Sequence, residues 1–564
     1  MTSPSKPPEE SAASAEAAPA HGAPEDESAA PSDGADDGDG DAGDEDAEPT
    51  SGDESRSSES GTRGPLLTPT VACGLAALGG ALYFTGMPGP GFWPAAFVAQ
   101  APFYLALLRQ SPRRAALLGL LNGFTFSLGT FYWLFGTVNV FGGFPAPVSL
   151  LVMFLMCAYQ GGRAALTGWL TARAEARGWP PALAFVLAFG AGELLYPLLF
   201  PWYFSVTALG APWFVQAADL GGPILAGALL LGSSLALAEL VRARIDGDRA
   251  SRALVLGGLL APLLSGIYGF VRVRQVEAMQ WKAPWLNVGL AQGNLPLVGR
   301  NAGVRINRLL TKDLRDQGAD FVVWSEGSVP DVFDEEVYRE ETYKRISRGL
   351  GVPVFIGGGV KRRTGDRVRE FNTTLFTDAE GQVVGRYDKH FLLPFGEYMP
   401  FGDRFPSLYD LSPHSSKMSP GESLDPVILD GHPITVIICY EDLLPTFVNQ
   451  AVRHGKPELL VNMTIDTWFG DTIAPWEHLG LAQLRAVEHR RYLVRATNSG
   501  VSAIVDATGR ITKHGGLFKE ETLLGEVRFM APTTLYERIG DVPFWAGSAI
   551  VGAMAFVRRR RKPS

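Results

Sequence analysis

Apolar and polar residues follow one another along this chain in three regimes. From Pro65 to about Val276, apolar stretches long enough to span a membrane alternate with short breaks marked by Pro, Gly or Arg. This is the pattern of bilayer helices, since about 20 apolar residues cover the hydrocarbon core. Seven helices are predicted, with cores near 66–86, 91–108, 115–137, 147–170, 181–200, 221–241 and 253–272, and an eighth over 544–557. From Trp285 the period shortens. Strand-like runs at 286–291, 321–324, 352–357, 372–376, 382–387, 434–438, 459–463 and 502–505 alternate with helical patterns at 302–317, 334–350 and 476–490. Such alternation predicts a layered α/β domain with covered sheets. The first 63 residues carry neither period.

Composition explains that opening stretch. It is built largely from Ala, Ser, Gly, Pro, Asp and Glu, and it cannot bury enough apolar surface to offset its ordering entropy, so disorder is predicted. It holds 18 Asp+Glu against 3 Lys+Arg, so the net −9 of the 564-residue chain conceals a positive remainder. No basic segment followed at once by an apolar one opens the chain, so the first apolar stretch reads as a membrane helix rather than a secretory signal. The expected division is an acidic tail (1–63), a helical membrane domain (64–276), an α/β domain (277–535), and a last helix with a basic end (536–564).

Cations set the expected orientation. Arg109, Arg113 and Arg114 follow the second stretch, Arg173 and Arg177 the fourth, and Arg242, Arg244, Arg249 and Arg252 the sixth, whereas the odd-numbered breaks carry no Lys or Arg. The positive-inside bias puts the even breaks and the N-terminal tail in the cytoplasm. Arg558 to Lys562 after the eighth stretch anchor the C-terminus there too, so the α/β domain faces outward, in the periplasm of a cell with two membranes. Arg272 and Arg274 run against the rule. Arg163 and Glu193 lie in or beside apolar runs, where an ionisable group marks either a wet functional site or a snorkelling side chain.

Three strand ends in the α/β domain carry chemistry. The run Ile434 to Ile438 delivers Cys439 to a turn, the run ending at Trp324 delivers Glu326, and Lys389 follows a strand near Gln382. Each residue alone has an ordinary reading, as a packed thiol or a solvated charge. Together they supply nucleophile, base and oxyanion stabiliser for acyl transfer. Cys73 and Cys157 lie within apolar stretches and are read as packed or lipid-facing thiols. With no CxxC pair, HExxH or clustered His, no metal and no cofactor are expected, and His390, His432 and His478 are read as structural.

At these places the chain resembles the nitrilase superfamily, through Tyr387-Asp-Lys389, Pro394-Phe-Gly-Glu397 and Cys439-Tyr-Glu441, with the Glu-Lys-Cys order of that superfamily. With the hydrophobic region in front, and with Gln292-Gly-Asn294, Trp468-Phe-Gly470, Pro475-Trp-Glu-His478 and Thr497-Asn-Ser-Gly500, it resembles the apolipoprotein N-acyltransferase family over residues 66–557. The resemblance implies an αββα sandwich on a membrane base, in the bacterial inner membrane. It also implies Glu326, Lys389 and Cys439 as the catalytic triad, with an acyl chain passing from a phospholipid through a Cys439 thioester to the α-amine of a lipid-modified N-terminal cysteine. Glu397, Tyr440 and Glu441 are expected to support the triad, and Phe395, Tyr398, Trp468 and Phe469 to wall a substrate vestibule. A monomer without nucleic-acid partners is expected. Departures are local: Trp324-Ser-Glu-Gly327 stands where Trp-Pro-Glu-Ser is usual, and Ile465-Asp-Thr-Trp468 where Asn-Asp-Ala-Trp is usual. Two other readings keep to the same residues: a tethered amidase using water as acceptor, and a carrier or scaffold whose outer domain only binds ligand.

Overall fold

Four helices, Pro69–Gly86, Ala146–Glu175, Ala218–Asp246 and Arg252–Gln280, are long and apolar enough to cross a membrane in the computed structural model, which describes residues 64–296, 302–365, 367–411 and 415–559. The expected disordered tail 1–63 and the basic end beyond Arg559 lie outside the described residues. Pro112–Phe131 and Leu134–Phe141 make a fifth span only as a pair bent by 64°, and Pro181–Leu195 and Val542–Phe556 are shorter apolar helices. Two expectations are therefore corrected. The stretch 91–108 is a 3-10 turn, Trp93–Phe97, followed by an eight-residue helix, Gln100–Leu107, that is almost wholly buried. Pro94 and Pro102 both interrupt that stretch, and eight residues rise only about 12 Å. The stretch 115–137 bends at Tyr132 and Trp133, where the Trp133 indole N–H donates to Thr130 O at 2.7 Å.

The cationic breaks gather at one end of this bundle. Arg109 pairs with Asp246 and its N–H donates to Glu175, Arg242 pairs with Glu239, and Arg559 N donates to Arg177 O. The cation-free breaks meet the α/β domain at the other end, as where Thr137 Oγ1 donates to Trp468 O at 2.7 Å. Arg272, which ran against the charge rule, lies on the extended Arg252–Gln280 helix and pairs with Asp219 at 2.8 Å. Arg163 and Glu193 are both buried, with 3.9 Å between their charged groups, so neither snorkels.

The α/β domain holds two sheets. Strands β1 (Trp285–Gln292), β2 (Phe321–Val323), β3 (Val332–Asp334), β4 (Val354–Thr364), β5 (Arg367–Thr377) and β6 (Val383–Asp388), with the late strand β13 (Glu521–Arg528), form a seven-stranded sheet in the order β13-β1-β2-β4-β5-β6, β3 pairing with β4. Strands β7 (Val427–Leu429), β8 (His432–Ile438), β9 (Leu459–Thr464), β10 (Tyr492–Thr497), β11 (Ala503–Val505) and β12 (Ile511–His514) form a six-stranded sheet in reverse chain order. Side chains alternate between faces with period two. Phe321 and Val323 thus meet Val436, Ile438 and Val461 between the sheets. Val322 packs outward with Leu314 and Ile346, and on the far side Ile437 and Leu460 cover Val448 and Ala486. These are the four layers of an αββα sandwich. Within 334–350 the expected helix is reduced to Tyr338–Thr342 and a π turn, because β3 runs to Asp334 and the chain turns at 335–337 before the helix begins.

Candidate active site

Cys439 sits where β8 ends. Its φ of 49° places it in the left-handed region, and it opens the 3-10 turn Cys439–Leu443. A non-glycine residue held there is strained, and the surroundings must enforce it. Glu441 does so: its carboxylate accepts from Ile438 N at 2.7 Å, His390 N at 2.6 Å, Phe391 N at 3.1 Å and the Tyr387 hydroxyl at 2.9 Å. Burial pushes Glu441 up to about 7 against the pull of those backbone donors and Lys389. The Cys439 turn is thereby tied to the segment that carries Lys389.

Glu326 is delivered by the turn after β2, which crosses β4 at Gly357. A Cβ on Gly357 would come within 2.4 Å of Ser325 O, so only glycine lets the turn pass so close. Lys389 follows β6, and its N–H donates to Asn372 O at 2.9 Å. The Lys389 ammonium is 2.8 Å from Glu397 Oε2 and 3.4 Å from Glu326 Oε1. Asn372, on β5, uses its one amide group to donate to Glu326 Oε1 at 2.7 Å and to Glu397 Oε1 at 2.8 Å. The Cys439 thiol lies beside Glu326 and Thr464.

The structure thus brings Glu326, Lys389, Cys439 and Glu397 together. Sequence reasoning missed Asn372 and Thr464 as members of the site. Neither carried a clear signal: Asn372 lies in the mixed polar and apolar run of β5, and Thr464 closes β9 as an ordinary strand residue.

Electrostatics follow from this crowding. Burial raises Glu326 above the ordinary carboxylate range, Lys389 opposes that rise and Glu397 adds to it. Burial would lower Lys389, but Glu397 and Glu326 outweigh it and hold the ammonium well above its usual range. Loss of hydration raises the Cys439 thiol well above its usual range, with Glu326 reinforcing and Lys389 opposing. The resting site is a protonated thiol beside a carboxyl of raised basicity and a fixed cation. Glu326 Oε2 accepts no hydrogen bond from the described residues, which leaves a lone pair for an incoming proton.

Behind Cys439, His478 bridges Asp466 and Asp442 at 2.9 Å each, and Arg495 reaches Asp442 at 2.6 Å and Asp466 at 3.1 Å. Tyr440 turns away from the thiol and donates its hydroxyl to Leu199 O in the membrane bundle, at 2.7 Å. The four wall candidates divide. Trp468 and Phe469 lie on the seam with the bundle, Phe469 with its ring 4.7 Å from that of Trp133 and Trp468 with its ring 6.0 Å from that of Phe141. Phe395, at φ 65°, is 58% exposed, while Tyr398 is half-buried.

A cysteine, carboxylate and lysine at converging strand ends of an αββα sandwich, standing on a bundle of apolar helices, define a membrane-borne enzyme of the nitrilase type. The carbon-nitrogen hydrolase family model matches residues 287–531, and the apolipoprotein N-acyltransferase N-terminal domain model matches residues 79–236. The apolipoprotein N-acyltransferase of Geobacter metallireducens is 33% identical over 507 residues, covering 86% of this chain and 95% of that protein. Those of Pseudomonas syringae pv. tomato and Methylococcus capsulatus are each 32% identical, covering 82% and 84% of this chain and 92% and 94% of their own. The chain belongs to the apolipoprotein N-acyltransferase family.

Proposed function

We propose that this chain is the acyltransferase of lipoprotein N-acylation in its cell, and that it works in two half-reactions at Cys439. A membrane phospholipid is the donor, and the α-amine of a diacylglyceryl-modified N-terminal cysteine is the acceptor. In the first half, Glu326 takes the thiol proton as sulfur attacks the donor ester carbonyl. The oxyanion forms beside Lys389 and the N–H near Tyr440, and its collapse expels the lysophospholipid oxygen, which recovers the proton from Glu326. In the second half, the amine attacks the thioester, Glu326 removes its proton, and the sulfur leaves and is reprotonated.

The observation that carries this reading is the placement of Cys439. A strained nucleophile turn faces a carboxyl of raised pKa and a fully buried ammonium, at the end of the domain that stands on apolar helices. Both substrates are lipid-anchored, so a site held at the bilayer replaces a search through water.

The further reading is of eight membrane segments, the short and bent helices included, in the inner membrane. Both termini lie in the cytoplasm, the α/β domain lies on the periplasmic side, and the protein acts as a monomer. The domain limits 1–63, 64–276, 277–535 and 536–564 belong to the same proposal. Gathering of the arginine-bearing breaks at the end away from the α/β domain supports this orientation. The test is mass spectrometry of purified protein incubated with phospholipid alone. An acyl mass on the Cys439 peptide is expected, and its absence at all donor concentrations would overturn the assignment.

A further inference from the structure

Tyr440, next to the nucleophile, does not use its hydroxyl at the triad. It donates to Leu199 O, on the outward segment between the Pro181–Leu195 helix and the Phe204–Ala208 turn. That segment has no regular structure, so its backbone groups need partners from elsewhere. Most of them come from one membrane helix, Ala146–Glu175. Gln160, buried within Ala146–Glu175, donates its amide to Phe200 O at 2.8 Å and accepts from Leu199 N at 3.2 Å. One turn further on, Arg163 donates to Trp202 O at 2.5 Å, and its partner Glu193 accepts from Phe204 N at 2.8 Å. At the other end of the segment, the Tyr159 hydroxyl donates to Pro197 O. Leu199 therefore receives Gln160 on its N–H and Tyr440 on its C=O.

We infer that Gln160 is a positioning residue for the acyl-transfer site: by fixing the Leu199–Phe200 backbone inside the bundle, it fixes Tyr440 and through it the strained Cys439 turn. A carboxamide is suited to this, because one side chain must supply both a donor and an acceptor to adjacent peptide groups. Phe200 supports the same link from the side, its ring 6.4 Å from that of Tyr440 and edge-on to it. Without the clamp, the carbonyl that holds Tyr440 moves, and the oxyanion donors beside Cys439 lose their aim. The inference rests on Cys439 being the acylated residue.

The experiment is a double-mutant cycle on full-length protein in phospholipid vesicles, reading the single-turnover rate of Cys439 acylation by intact-mass spectrometry. Gln160→Met keeps the side-chain size and removes both hydrogen bonds, and Tyr440→Phe removes the link to Leu199. Each alone is expected to slow acylation roughly tenfold, the loss of about one or two net hydrogen bonds at the transition state. If Gln160 acts through Tyr440, the pair is slowed little more than either single variant, while independent effects would multiply to roughly a hundredfold. Gln160→Asn, which retains both hydrogen-bonding groups on a shorter arm, recovers part of the rate. Multiplying effects, or an unchanged rate in Gln160→Met, overturn the inference. Should Gln160→Met fail to fold, Tyr159→Phe, at an exposed position on the same helix and bonded to the same segment at Pro197, takes its place in the cycle under the same criterion. Absence of any acyl mass in the unsubstituted protein would instead reject the Cys439 assignment, so the two failures are distinguishable.

Discussion

Lys389 is paired more closely with Glu397, at 2.8 Å, than with Glu326, at 3.4 Å. The cation of the site is thus held chiefly by a carboxylate assigned no proton transfer, which leaves Glu326 freer to accept one. The arrangement has a consequence for pH. In the proposed mechanism acylation requires ionised Glu326, so its rate is expected to rise with pH through the raised pKa of that group, to which Glu397 contributes. Glu397→Gln removes the neighbouring negative charge and releases Lys389 toward Glu326, and both changes lower the Glu326 pKa. It also removes the largest support of the raised Lys389 pKa. Both limbs of the pH–rate profile for Cys439 acylation are expected to move to lower pH. An acid limb that stays in place would show that Glu326 is not the titrating base.

The triad roles separate by isosteric substitution. Glu326→Gln retains the acceptor for Asn372 but cannot take the thiol proton, so no acyl-Cys439 is expected on the timescale of normal turnover. Lys389→Met removes the cation beside the oxyanion and is expected to slow acylation by about a hundredfold or more, the usual loss for one such donor. Rapid-quench mass measurements check both, and a normal rate in either variant removes that residue from its role.

Behind Cys439, the Asp442–His478–Asp466–Arg495 cluster makes stability depend on pH in two directions. Burial and Arg495 lower the His478 pKa, but the two aspartates outweigh them and the net shift is upward. Its contribution is therefore present below the ordinary histidine range and lost as pH rises through the raised value. Burial raises Asp466, but Arg495 and His478 outweigh it, so its contribution is present above the ordinary aspartate range and lost as pH falls through the depressed value. In detergent, Tm is expected to fall at both edges, and His478→Asn should flatten the alkaline edge and, because His478 also helps lower Asp466, weaken the acid edge. Arg495→Met leaves two buried carboxylates without their cation and should cost about 3–5 kcal/mol. A Tm within two degrees or so of the unsubstituted protein would contradict that.

Much of this site was legible because Glu326, Lys389 and Cys439 each follow the end of a strand-like run, and a reactive group there ends up at a strand end whatever the register. The supporting shell was less visible. Asn372 and Thr464 are polar residues inside strands, and only the packing of the two sheets brings them to Glu326 and Cys439. Arg495 lies inside the apolar run of β10, where a buried guanidinium makes sense only once Asp442 and Asp466 are seen beside it. In the membrane part, hydropathy marked the apolar stretches but not their shape. Gln100–Leu107 is as apolar as a span, yet it ends after eight residues and is buried in the bundle. Strand β13 went unread because half of its residues are polar, the alternation of an edge strand paired only with β1.

The proposed orientation makes a prediction independent of catalysis. In intact cells or spheroplasts, with Cys73 replaced, Glu336→Cys on the α/β domain is expected to react with an impermeant thiol reagent. Arg249→Cys, in the exposed break after Ala218–Asp246, should react only after lysis. Labelling of the Arg249 site alone in intact cells would invert the topology.

Phe469 is the wall residue that the structure places most informatively. Its ring stands edge-on to Trp133, at 4.7 Å, and to His478, at 5.9 Å, so it closes the seam between the bundle and the domain beside the Asp442–His478 pair. A thioester waiting for its second substrate persists only if water is kept from its carbonyl. Phe469→Ser replaces the ring with a small hydroxyl, opens the seam to water and leaves the triad hydrogen bonds untouched. Acyl-Cys439 is expected to form at close to the normal rate in this variant but to decay faster without acceptor, releasing free fatty acid. Steady-state rates at varied donor and acceptor should retain the parallel double-reciprocal lines of a two-step transfer, with part of the flux diverted to hydrolysis. Intersecting lines with no trapped acyl-enzyme would mean that both substrates must be bound before sulfur reacts. In that case Phe469 would guard no intermediate, and its contact with Trp133 would serve only to hold the two parts of the molecule together.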